Sequence, residues 1–85
     1  MRNSEVAKCF LSRIKADSVH LHATPTKLFS YCTCIAEFIN DELVGNSTKY
    51  STTSSIHLSY IKPYVDIWTT IPVPIETKSL KDFVN

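Results

Sequence analysis

Apolar positions recur at helical spacing at the start of the chain and alternate with polar ones beyond it. Val6, Phe10 and Ile14, with Cys9 and Leu11 beside them, form one apolar face, and Lys8, Ser12 and Lys15 fall on the other. Ser4 is a good N-cap residue, and Glu5 follows it at the positive end of the helix dipole. The pattern predicts a helix over about residues 5–15. Val19, Leu21 and Ala23 then alternate with His20, His22 and Thr24, which is a strand pattern closed by the turn Thr24-Pro25-Thr26. A second strand is predicted from Leu28 to Ile39, with Phe29, Tyr31, Thr33, Ile35 and Ile39 on one face and Ser30, Cys32, Cys34, Ala36 and Phe38 on the other. Asn40-Asp41-Glu42 supplies the next turn, and Leu43 to Tyr50 reads as a third strand, in which Gly45 marks a bulge or a close backbone approach.

Ile56, Tyr60 and Ile61, with Leu58 partly behind them, predict a short helix that Pro63 stops near Ile61. Val65 to Ile71 reads as extended. Pro72 and Pro74 confine the following segment to an edge strand or a polyproline-like path, and Ser79 is positioned to cap a last turn carrying Leu80, Phe83 and Val84. The expectation is an α+β domain in two layers: an N-terminal helix, a three-stranded antiparallel sheet, a second short helix and a proline-bearing extended tail. The odd-numbered face, Val19, Leu21, Phe29, Tyr31, Ile35 and Ile39, is assigned to the core. Residues 1–85 form a single small domain, with 68–85 as a loosely attached tail.

A chain of 85 residues buries roughly 60–65% of the surface its unfolded form exposes, and nine aromatics make a core feasible without staples. The net charge of +1 divides as +3 over residues 1–27, −2 over 28–49 and zero beyond, so no segment is a polybasic arm. Non-specific DNA binding by counterion release is therefore not the default. No apolar run has the length of a signal peptide or a membrane span, and no membrane partner is expected. Cys9, Cys32 and Cys34 read as reduced thiols of a cytoplasmic protein, and the sequon at Asn46-Ser47-Thr48 as accidental.

The window Asn46–Ser55, NSTKYSTTSS, carries seven Ser/Thr hydroxyls at a predicted strand-to-helix junction. Two readings stand side by side. Lys49, Ser51, Thr52, Thr53, Ser54 and His57 could bind an anion, nucleotide or nucleic acid at a helix start. Alternatively, one hydroxyl caps the helix and the others bond local backbone. His20-x-His22 and Cys32-x-Cys34 would face one another across a hairpin, a Cys2His2 set within reach of one zinc ion. The competing reading is a half-exposed face that happens to carry thiols and imidazoles. No nucleophile elbow, glycine-rich phosphate loop or paired-carboxylate signature is present, and the chain reads as a non-enzyme. Phe38, Tyr64 and Trp68 are the candidate partner-binding residues, with Trp68 and the proline segment offering a surface for a protein or a second copy, against the reading in which Trp68 closes the core.

Leu28-Phe29-Ser30-Tyr31, Cys34-Ile35-Ala36, the string Asn46 to Ser54 and His57 together resemble a family of small domains of tailed bacteriophages, with a pattern close to LYSYxTxIA followed by NxTKYSxTTSxH. The resemblance covers about residues 7–60, and Thr48 to Thr53 is its most specific part. Cys32 stands where a polar residue such as Asn is common. No activity attaches to the family, so the resemblance implies no catalytic residue. It implies an accessory protein in the cytoplasm of an infected host cell, directed at a host process or defence system. The leading expectation is a protein that binds a host or viral macromolecule. A nucleotide or nucleic-acid binder is the alternative, and a zinc-stabilised module a further one.

Overall fold

In the computed structural model, which describes residues 2–84, two helices and a six-stranded mixed sheet make an α+β fold. Helix α1 spans Asn3–Leu11. It is followed by β1 (Ala16–Asp17), β2 (Leu21–Ala23), β3 (Lys27–Ser30), β4 (Thr33–Ile39) and β5 (Glu42–Gly45), an antiparallel meander in chain order. Helix α2 (Thr52–Ser59) then carries the chain over to β6 (Ile67–Trp68), which pairs with β5 in parallel. A parallel neighbour needs such a crossover, and α2 supplies it.

The first helix begins and ends earlier than its periodicity predicts. Arg2, not Ser4, is the N-cap, and its backbone N–H donates to Glu5 Oε1 at 3.1 Å. At the other end Arg13 takes φ 57°. Its N–H donates to Phe10 O (2.9 Å) and that of Ile14 to Cys9 O (2.8 Å), the paired bonds of a left-handed C-terminal cap. The cap turns the chain away, so Ile14 points to solvent and α1 buries only Val6, Ala7 and Phe10.

The predicted strand over 28–39 is two strands joined by a hairpin at Tyr31-Cys32, where Ser30 pairs with Thr33. Tyr31 occupies the left-handed position of that turn at φ 57°, with no glycine or asparagine to announce it. A bulge follows: Leu28 pairs with Ala36 and Phe29 with Cys34, leaving Ile35 as the extra residue. These two changes offset one another by Ala36, and the β2–β3 register, with Leu21 opposite Ser30 and His22 opposite Phe29, turns Phe29 away from Leu21. The helix-side core therefore holds Leu21, Ala23, Leu28, Ile35, Ala36 and Leu43 against Val6, Phe10 and Ile61. Phe29 and Ile39 point to the opposite face, while Val19 and Tyr31 are exposed. The assigned odd-numbered face is thus correct for Leu21 and Ile35 and wrong for the other four named residues.

That opposite face is covered by the C-terminal segment, so the sheet lies between helices and an irregular layer. Val73 and Leu80 pack on Cys34 and Val44, with Phe83 and Val84 at the margin. Cys34 N–H donates to Thr77 O at 2.9 Å, and Glu76 N–H to Thr33 Oγ1 at 2.8 Å. Glu37, 1% exposed, accepts from Ser79 Oγ (3.0 Å) and from Leu80 N–H (2.9 Å). The segment expected to be loosely attached is therefore pinned along its length, and it follows a path its two prolines permit because none of these bonds needs their missing N–H.

Candidate functional site

The first half of the hydroxyl-rich run is an anchor. Asn46, buried at the end of β5, donates from Nδ2 to Cys34 O (3.1 Å) and Tyr50 Oη (3.0 Å), and accepts Thr48 N–H at 2.9 Å. Ser47 Oγ donates to Thr69 O at 3.1 Å, and Thr48 Oγ1 accepts Val73 N–H at 2.7 Å. Tyr50 Oη donates to Val73 O. These bonds hold the C-terminal layer against the end of the sheet. Ser51 is the N-cap of α2, its Oγ accepting Ser54 N–H at 3.2 Å.

His57, 1% exposed, is the hub of a polar chain whose other members, apart from Ser30, are half-buried. Its Nδ1 lies 2.6 Å from Ser30 Oγ and its Nε2 3.2 Å from Asn3 Nδ2. Ser18 Oγ donates to Asn3 Oδ1, and Ser30 Oγ is 3.4 Å from Ser54 Oγ. Asn3 Oδ1 is thus taken as an acceptor, so its amide donates to Nε2 and the imidazole carries its proton on Nδ1, donating to Ser30. Burial, and secondarily the neighbouring His20, hold the His57 pKa below its ordinary 6.5. The Asn3 amide works in the same direction, because a proton on Nε2 would meet an N–H donor. Ser30 and His57 have the separation of a nucleophile and its base, yet both are about 1% exposed and the third group is a donor. The network joins α1, β3, α2 and the β1–β2 turn. It is structural.

Of the anion candidates, Lys49 and Ser54 line a cleft of ≈ 270 Å³. Ser55 and Leu58 of α2, Lys62 and Trp68 also face it. The cleft runs along the side of the helix, and Thr52 and Thr53 in its first turn are not among the lining residues. His57 is sealed behind, and Ser51 is occupied as the cap.

The zinc arrangement rests on a register that does not form. β2 pairs with β3, placing His22 opposite Phe29, and Cys34 is also opposite Phe29 from the other side. His22 instead approaches Asp17 at 3.0 Å, and His20 stacks on Tyr31 with ring centroids 4.7 Å apart. Cys32 sits exposed in the hairpin turn, whereas Cys34 is buried under Val73 and Leu80. Burial, with Glu37 nearby, pushes the Cys34 thiol up to about 12. No three metal-ligating side chains converge among the described residues.

The partner-binding candidates separate into two places. Trp68 packs so closely on Gly45 that a Cβ there would lie 2.8 Å from the indole ring. Phe38 and Tyr64 line a different depression, with Leu11 and Leu43 as its apolar floor and Lys8 and Asp66 also lining it. Arg13 lies over the Phe38 ring, 4.4 Å from its centroid. Two residues of the apolar pattern that predicts α2 are exposed. Ile56 and Tyr60 are 49% and 36% exposed, because α2 buries His57 instead and Ile61 enters the core only beyond the helix end. The i, i+4 spacing of Ile56 and Tyr60 was the available signal, and Tyr64, 60% exposed, follows in the 3-10 turn Lys62–Tyr64.

No helix among the described residues is long and apolar enough to cross a membrane. No family model, curated protein or solved structure matches the chain.

Proposed function

We propose that this is a non-enzymatic accessory protein, of the tailed-phage kind its sequence resembles, that binds a host or viral protein through the outer side of α2 and the groove next to it. The observation that carries the reading is the set of exposed side chains Ile56, Tyr60 and Tyr64, the last of which lines an apolar groove with Leu11, Phe38 and Leu43. Tyrosines with an apolar body and a polar tip are the residues that anchor protein interfaces. The preferred partner presents an apolar segment to the groove, with charges complementing Lys8 and Asp66 at its edges. Its site of action is the cytoplasm of an infected cell, where it inhibits a host process or defence system.

The test is affinity capture from lysate of phage-infected cells with the parent chain and a Tyr60→Ala/Tyr64→Ala variant, after circular dichroism has shown both to be folded. A partner retained at moderate salt by the parent and lost by the variant supports the reading. Equal capture by both, or recovery of nucleic acid alone, overturns it. Light scattering on the purified chain separates a second copy of itself from a foreign partner.

A further inference from the structure

The cleft on the other flank of α2 is independent of the docking surface, since neither Ile56, Tyr60 nor Tyr64 lines it. From its composition we infer that it is a binding site for a single nucleotide, the base against Trp68 and the phosphate between Lys49 and Lys62. The charge pattern is the first argument. The chain balances nine basic against eight acidic side chains, yet this cleft is lined by two lysines and no carboxylate. Neither lysine makes an ion pair among the described residues, where only Arg13–Asp41 and His22–Asp17 pair. Two uncompensated ammonium groups at a recess with apolar walls focus a positive potential into it.

The walls supply the second argument. Trp68 is half-buried and fixed in place, because Gly45 leaves room for its ring to lie directly on the β5 backbone. Ile35 and Leu58 form the rest of the apolar lining. A held indole beside aliphatic side chains is a surface on which a base can stack. Ser55 and Ser59 on the helix side add hydroxyls within the same recess. The volume of ≈ 270 Å³, just below the usual range of ligand cavities, leaves room for one nucleotide and not a strand. Inorganic phosphate alone would leave the apolar half unused, and a nucleoside alone would leave both lysines unpaired.

Trp68 is the chain's one tryptophan and reports on the cleft directly. The experiment titrates the full chain with AMP, GMP, CMP and UMP while following Trp68 emission and backbone amide shifts, with adenosine, inorganic phosphate and a short single-stranded oligonucleotide as parallel arms. Expected is a saturable change with at least one mononucleotide, shifts at Lys49, Ser55 and Ser59, and binding of adenosine and phosphate weaker by about tenfold or more. A Lys49→Ala/Lys62→Ala variant, both positions being exposed, should keep its circular dichroism and urea midpoint and lose about tenfold or more in affinity. The inference is overturned by no saturation up to about 1 mM of any mononucleotide. It is equally overturned if phosphate binds as well as a nucleotide or if the double-lysine variant binds unchanged. Tighter binding of the oligonucleotide than of any mononucleotide also overturns it, in favour of a strand.

Discussion

Replacing His57 by alanine removes the hub that ties α1, β3 and α2 together, and the cost can be worked from its contacts. Two hydrogen bonds disappear, to Ser30 and Asn3. Each contributes about 1 kcal/mol, and Ser30, 1% exposed and left with the 3.4 Å contact to Ser54, adds about 1–2 kcal/mol as an under-satisfied buried hydroxyl. With the void left by the ring, the loss comes to about 3–5 kcal/mol. A domain of 85 residues has about 4–13 kcal/mol in all, so the variant should sit near the edge of folding. Urea denaturation of the parent, His57→Ala, Ser30→Ala and the double variant measures this, with a coupling of about 1–3 kcal/mol between the two sites. The pH dependence has a defined sign. The folded protein holds His57 neutral below its ordinary 6.5, so the unfolded chain takes up the proton first as pH falls. The contribution is therefore complete above that value and is lost as pH drops beneath it. His57→Ala should flatten the stability profile between about pH 7 and about pH 5. A loss under about 1 kcal/mol, additive single variants, or parallel acid profiles would refute the reasoning.

Three further outcomes follow from the packing. Glu37→Ala should release the C-terminal layer, because two of its anchors end on that carboxylate, and limited proteolysis should then cut between residues 70 and 84 well before the parent is touched. Gly45→Ala should cost about 1–3 kcal/mol and shift Trp68 emission, since the added carbon meets the indole at 2.8 Å and Val65 Cγ1 at 2.9 Å. Among the three thiols, a disulfide reagent should modify Cys32 first and Cys34 only on unfolding, because Cys34 is buried and pushed up to about 12. Mass spectrometry of the modified peptides gives the order.

The fold class was legible because its long signals were intact: the apolar face around Val6 and Phe10, the alternation in β2, and the apolar run through β4. Strand number was not. Ala16–Asp17 and Ile67–Trp68 are two-residue strands, too short to carry a period, although the second falls in the Val65 to Ile71 stretch that reads as extended. The hairpin at Tyr31 was invisible for a different reason. With a single glycine in the chain, left-handed backbone positions fall on Arg13, Tyr31, Asn40, Asp41 and Glu76, and of these only the Asn40-Asp41 pair looks like a turn. The β2–β3 register, with His22 opposite Phe29, turns Phe29 away from Leu21. The Tyr31 turn and the Ile35 bulge offset one another and leave Ile39 on the same face as Phe29, and the turn dissolves the Cys2His2 register. Of the candidate site, Lys49 and Ser54 were readable from the hydroxyl run. Lys62 and Leu58 were not, because nothing local says which side of α2 stays open once His57, a polar residue, turns inward.

The most direct measurement of the proposed role is the partner capture with parent and Tyr60→Ala/Tyr64→Ala chains, read by mass spectrometry and repeated with Lys49→Ala/Lys62→Ala. The account predicts one protein partner held by the parent and by the lysine variant and lost by the tyrosine variant. A partner lost with the lysines and kept without the tyrosines would contradict it.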